Sequence, residues 1–145
     1  MAITTNAIAN SFKKELLEAK HNFTQTSGDQ FKIALYTNSA TLGKSTTSFT
    51  TDHQVSNTGQ YTSGGGKLAK GSQQTSVASS VAIVDFADRS FTGVTLTARG
   101  ALIYNSTNSD KAIAVLDFGG DFTVSGGTFK IVFPAAGANA IIRID

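Results

Sequence analysis

Two hydrophobic periods divide this chain. Between Asn6 and Lys20, Ile8, Phe12 and Leu16 recur at four-residue spacing, with Ala9 and Ala19 beside them. That spacing marks one face of a helix. Lys13, Lys14, Glu15 and Glu18 fall mostly on other faces. Thr5 or Asn6 is placed to cap the first turn through a side-chain oxygen. Lys20 and His21 follow at the negative end of the helix dipole.

From Phe31 onward the period changes to two, the signature of strands. "FKIALY" directs Phe31, Ile33 and Leu35 one way and Lys32, Ala34 and Tyr36 the other. "VAIVDFA" sets Val81, Ile83 and Asp85 against Ala82, Val84 and Phe86. "GVTLTA" sets Val94, Leu96 and Ala98 against Thr95 and Thr97. "ALIYN" and "KAIAVLDF" are strands divided by the turn cluster "NSTNSD". "DFTV" and "TFKIVF" flank Ser125-Gly126-Gly127, which predicts a hairpin because glycine reaches positive φ without Cβ strain. Phe129, Ile131 and Phe133 share a face, and Pro134 removes a ladder donor, so the strand stops there. "AIIRI" is the last strand. The stretch from Thr50 to Ser80 is rich in Gly, Ser and Thr and reads as a long excursion with two short strands near Tyr61 and Leu68. Long loops of this kind are often functional or mobile.

Strand follows strand with no helical pattern between them, which argues against βαβ units. Seven to nine short strands separated by turns predict a mainly β fold, an antiparallel β-sandwich of jelly-roll-like type with one N-terminal α-helix. The chain reads as one domain, with residues 1–22 a helix or arm and 23–145 the sandwich. The helix either covers an edge of the β core or docks on a neighbouring subunit.

The composition narrows the chemistry. The 145 residues suffice for a full core, and the absence of cysteine removes disulfides and thiolate metal sites. The net charge is +2 with 15% charged residues, and the lysines are scattered, Lys13-Lys14 being the only adjacent pair. Nucleic-acid binders carry a clustered basic stripe, so no nucleic-acid partner is expected. "MAITTNAIAN" has neither a basic start nor a long apolar run, so the expectation is synthesis in the cytoplasm without a secretory signal. No apolar run approaches a membrane span.

Several motifs invite chemistry. Gly43-Lys44-Ser45 matches the end of a P-loop, but Asn38 stands where the first glycine belongs, and "STTSFTTDHQVSNTG" is a poor helix for a phosphate cradle. Asp117-Phe118-Gly119 lacks the lysine strand and catalytic loop of a kinase. It reads instead as a strand end, with Phe118 in the core and Gly119-Gly120 in a turn. His21 and His53 would have to meet carboxylates to bind zinc. Asp85, Asp88, Asp117 and Asp121 lie near strand ends without the close spacing of a calcium loop. The sequons at Asn22 and Asn105 mean nothing without secretion. Ten Phe, three Tyr and no Trp leave few stacking platforms for sugars. No catalytic residues, cofactor or metal are expected.

The segments "AIANSFKKELLEAKHNF", "FKIALYTNSATLGKSTTSFTT", "ARGALIYNSTNSDKAIAVLDFGG" and "IVFPAAGANAIIRID" resemble a family of small virion proteins of tailed bacteriophages. The resemblance implies a capsid cement or decoration protein on the outer head surface, a β-sandwich forming dimers or trimers, with the major capsid protein as partner. It implies no catalytic residues. Phe12, Lys13, Leu16, Lys44 and Lys67 are then the candidate partner contacts. The rival expectation is a tail, head-fibre or tail-tip module that binds a host glycan.

Overall fold

The structure, a computed structural model, describes residues 3–145, apart from the side chains of residues 71–73. It is mainly β, with antiparallel sheets and one short helix. The elements run β1 (Ala7–Ile8), α1 (Asn10–Leu17), β2 (Phe31–Tyr36), β3 (Gly66–Lys67), β4 (Lys70–Ala78), β5 (Val81–Phe86), β6 (Arg89–Asn105), β7 (Lys111–Ile131) and β8 (Ile142–Ile144). One sheet has the order β1-β7-β6-β2-β3 and the other β4-β5-β8. The two share one apolar core, in which Phe31 of the larger sheet lies 5.8 Å from Phe86 of the smaller.

The centre of the larger sheet is covered on both faces. Gly100 to Asn105, Ala112 to Leu116 and all of β2 except Lys32 are buried. Phe31, Ile33 and Leu35 face the core as expected, but Ala34 and Tyr36 are buried too. Phe23 stacks on Phe31 at 4.5 Å, and Phe12 packs edge-on against Phe23. Elsewhere on the sheet the segment 37–65 lays Phe49 on Tyr104 at 4.7 Å.

The helix is shorter than the expected Asn6 to Lys20. Residues 7 and 8 instead pair as a strand with Val115 and Ala114, and Ala9 keeps extended backbone. The predicted caps serve elsewhere: the Asn6 side-chain oxygen accepts the Asp117 N–H at 2.6 Å. The first helical N–H, that of Asn10, donates to the Lys44 carbonyl at 2.8 Å. At the other end Ala19 turns left-handed with φ 59°. The Lys20 N–H reaches Glu15 O and the Ala19 N–H reaches Leu16 O, the paired bonds of a Schellman stop. Lys20 and His21 therefore lie beyond the helix.

The predicted hairpin at Ser125–Gly127 is not a turn. β7 runs through it beside β6, and the register slips from Leu96↔Val124 to Val94↔Gly127. Gly126 has φ 63°, and its N–H donates to Thr95 Oγ1, so the glycine forms a bulge. Gly119-Gly120 behave likewise. Asp117 pairs with Gly100 and Phe122 with Ala98, so residues 118–121 stand against Arg99 alone.

The middle segment holds more structure than expected. β4 is a nine-residue strand, hydrogen-bonded to β5 across the two-residue turn Ser79-Ser80, both at positive φ. The glycine run ahead of it is an approach, not a gap. A Cβ on Gly65 would lie 1.8 Å from the Ile33 carbonyl oxygen. Nor is the loop loose. The fully buried Tyr61 receives the Leu35 N–H on its hydroxyl at 2.8 Å and donates to Gln54 Oε1 at 3.0 Å.

Candidate functional site

An apolar groove of about 410 Å³ runs between the helical segment and the smaller sheet. Phe12, Leu16 and Phe23 form one wall, and Val84, Ile142 and Ile144 belong to the other. Phe12 is there because the four-residue spacing aims it inward, where it is buried against His21 and Phe23. Two of the apolar side chains that line it stand in solvent, Val77 75% and Ile144 58% exposed, and Leu17, next to Leu16 in the helix, is 91% exposed. Scattered apolar residues need no explanation, but a contiguous apolar patch marks an interaction surface.

A second apolar furrow, of about 510 Å³, lies on the far half of β7. Phe118, Phe122, Val124, Phe129 and Ile131 line it, with Phe122 53% and Val132 68% exposed.

Of the expected contact residues, the structure brings Phe12 and Leu16 together in the groove. Lys13 is exposed on the same helix. Lys44 is exposed in the loop whose carbonyl receives the start of α1. Lys67 is exposed on β3, where its carbonyl accepts from Arg89. The contiguous patch is therefore apolar rather than lysine-based. Val77 and Ile144 are its missed members.

One polar cluster has the ingredients of acid–base chemistry. The His21 ring, with no exposed surface, lies 3.2 Å from Glu15 Oε1, and Glu15 Oε2 pairs with Lys111 at 3.3 Å. Asn105 settles the tautomer. Its carbonyl oxygen accepts two backbone N–H groups, from Thr107 and Asn108. Its NH₂ therefore points to His21 Nδ1 at 3.0 Å and to Asp29 at 2.8 Å. His21 Nδ1 accepts and Nε2 donates to Glu15. Every polar atom of the ring is engaged, and the ring is sealed by Phe12 and Phe23, so the cluster is a brace between α1 and the β6–β7 turn. It also accounts for the sequon at Asn105, which is fully buried.

The other motifs resolve individually. Around Gly43, the Gly43 N–H is taken by Thr46 Oγ1 and the Thr46 N–H by Gly43 O, and no helix follows. Asp117 lies 3.3 Å from Arg99, Asp88 receives the Phe133 N–H, and Asp121 accepts from Asn38 at 2.9 Å. Burial, followed by the charge of Asp88, pushes the Asp85 carboxyl up. Among the described residues, no three of His, Asp and Glu gather where a metal ion would be held. Also among them, no helix is long and apolar enough to cross a membrane. All three tyrosines are buried.

Compared with known proteins, the chain matches no family model, no curated protein and no solved structure.

Proposed function

We propose that this chain is a structural contact protein of a larger particle, and that the particle is a phage head which it cements. The apolar groove, with exposed Val77 and Ile144 in its lining, carries this reading, because it offers packing area and no reacting groups. The closed His21–Glu15 brace and the occupied loop at Gly43 are consistent with a molecule that works by contact. The resemblance of the four segments to small virion proteins supplies the particle. Many weak copies on one shell add up through avidity, so a single modest patch is enough.

Cryo-electron microscopy of the virion tests this. Density for this fold across capsomer boundaries, in hundreds of copies, supports cement. A handful of copies at the tail would overturn it in favour of a host-binding module. Val77→Asp and Ile144→Asp should each strip the protein from heads while leaving its circular dichroism unchanged. Retention of both variants at wild-type occupancy would exclude this groove as the contact.

A further inference from the structure

The far half of β7 is an open strand edge. β6 follows one side of β7 throughout, but on the other side β1 reaches only Ala114 and Val115. Two N–H groups just beyond are occupied, that of Asp117 by Asn6 and that of Gly119 by the Asp117 carboxylate. From Phe122 to Ile131 no strand among the described residues lies along that side. Proteins usually blunt such an edge, because it is a template for another strand. Here the edge instead carries the furrow with the exposed Phe122.

The bulge at Gly126 decides in which registers this edge can pair with its own copy face to face. Before it, Phe122 and Val124 stand beside the buried Ala98 and Leu96 of β6. After it, Gly127 and Phe129 stand beside the buried Val94 and Phe91. The inward residues are thus even-numbered before the bulge and odd-numbered after it. Two copies related by a two-fold axis and paired across the bulge, the segment before it against the segment after it, match inner face to inner face only if even residues meet odd ones. One such register places Phe122 of one copy opposite Phe129 of the other, and Thr123 opposite Thr128. It also places Asp121 opposite Lys130, both exposed, and the symmetry makes that ion pair twice; within one copy Lys130 lies 3.6 Å from Asp88 and Asp121 accepts from Asn38, so each gains a second partner across the pairing. The neighbouring face-matched registers leave Asp121 opposite Val132 or Thr128, with no charge match.

We propose that a second copy of this chain pairs antiparallel along β7 in this register, merging the two furrows into one apolar layer. The pairing goes beyond the cement reading and does not depend on it, since the purified chain is tested without any particle.

Sedimentation equilibrium should give a dimer, about twice the 15.1 kDa chain mass. The chain has no cysteine, so introduced thiols report contacts cleanly. Opposed Cα atoms in antiparallel strands lie about 4.5–5.5 Å apart, within disulfide reach. Thr123→Cys mixed with Thr128→Cys should cross-link on mild oxidation, and neither variant should cross-link alone. Asp121→Lys or Lys130→Asp singly should weaken the dimer about ten-fold, and the double swap should restore it. The single-chain mass at the highest soluble concentration would overturn the pairing. Self-linking of Thr123→Cys as fast as the mixture would overturn the register.

Discussion

Raising the pH should unfold this protein through its tyrosines. All three are buried, each with a placed hydroxyl: Tyr36 donates to Thr50 O, Tyr61 to Gln54, and Tyr104 to Gly64 O. Burial pushes Tyr104 up to about 12 and raises Tyr36 and Tyr61 further above the ordinary value. The unfolded chain releases these protons near pH 10, whereas the folded chain keeps them. Stability is therefore complete below about pH 10 and is lost as the pH climbs through the folded values. Each suppressed ionisation contributes a slope of about 1.4 kcal/mol per pH unit, so three together give roughly 4. A domain stable by about 5–15 kcal/mol is exhausted within a few pH units at that rate. The chain has no tryptophan, so near-ultraviolet absorbance of tyrosinate reads these groups alone. Absorbance and far-ultraviolet circular dichroism should change together in one steep step well above pH 10. Tyr61→Phe should reduce the slope by about a third. A tyrosine that ionises near pH 10 while the dichroism stays native would refute the reasoning.

Four substitutions probe the local geometry. Ala19→Gly, at the left-handed Schellman position with φ 59°, should raise stability by about 1 kcal/mol in denaturant titration. Gly65→Ala should lower it by about 3 kcal/mol or more, since positive φ and the Ile33 carbonyl both reject a Cβ; Gly43→Ala, with open space around it, should be near neutral. Lys44→Ala should leave the melting temperature unchanged, because α1 uses the Lys44 carbonyl and not its ammonium. A wild-type melting temperature raised by ATP would contradict the occupied loop at Gly43.

Where local pattern and tertiary environment agree, the sequence was legible. "FKIALY" is β2 to the residue, although its second face, Ala34 and Tyr36, is buried as well. Val94, Leu96 and Ala98 are inward, and Phe129, Ile131 and Phe133 are buried, as their spacing required. β4 was not legible, because Lys70 to Ala78 holds few apolar residues and owes its shape to pairing with β5. The end of the helix was not legible, because the alanine at the left-handed position 19 is no mark of a stop; glycine is the usual residue there. Half of the groove was legible, since Phe12 and Leu16 follow from spacing. Val77 and Ile144 were not, because a sequence does not tell which apolar side chains tertiary packing leaves uncovered. The His21 brace joins Glu15, Asp29, Asn105 and Lys111 from distant positions, which no local pattern announces.

The misread glycines have one cause. A residue at positive φ serves a hairpin turn and a bulge equally well, and only the neighbouring strand decides between them. At Gly126 that neighbour is β6, which stays alongside and takes the Gly126 N–H on Thr95 Oγ1. The difference matters for the surface. A hairpin at Ser125–Gly127 would have folded "TFKIVF" back onto "DFTV" and covered the edge with the chain's own backbone. A bulge keeps both segments in line, leaves that edge unpaired, and shifts the inward positions from even to odd. The same three residues that look like a turn in the sequence thus produce both the open edge and the parity that sets the register in which two copies meet on it.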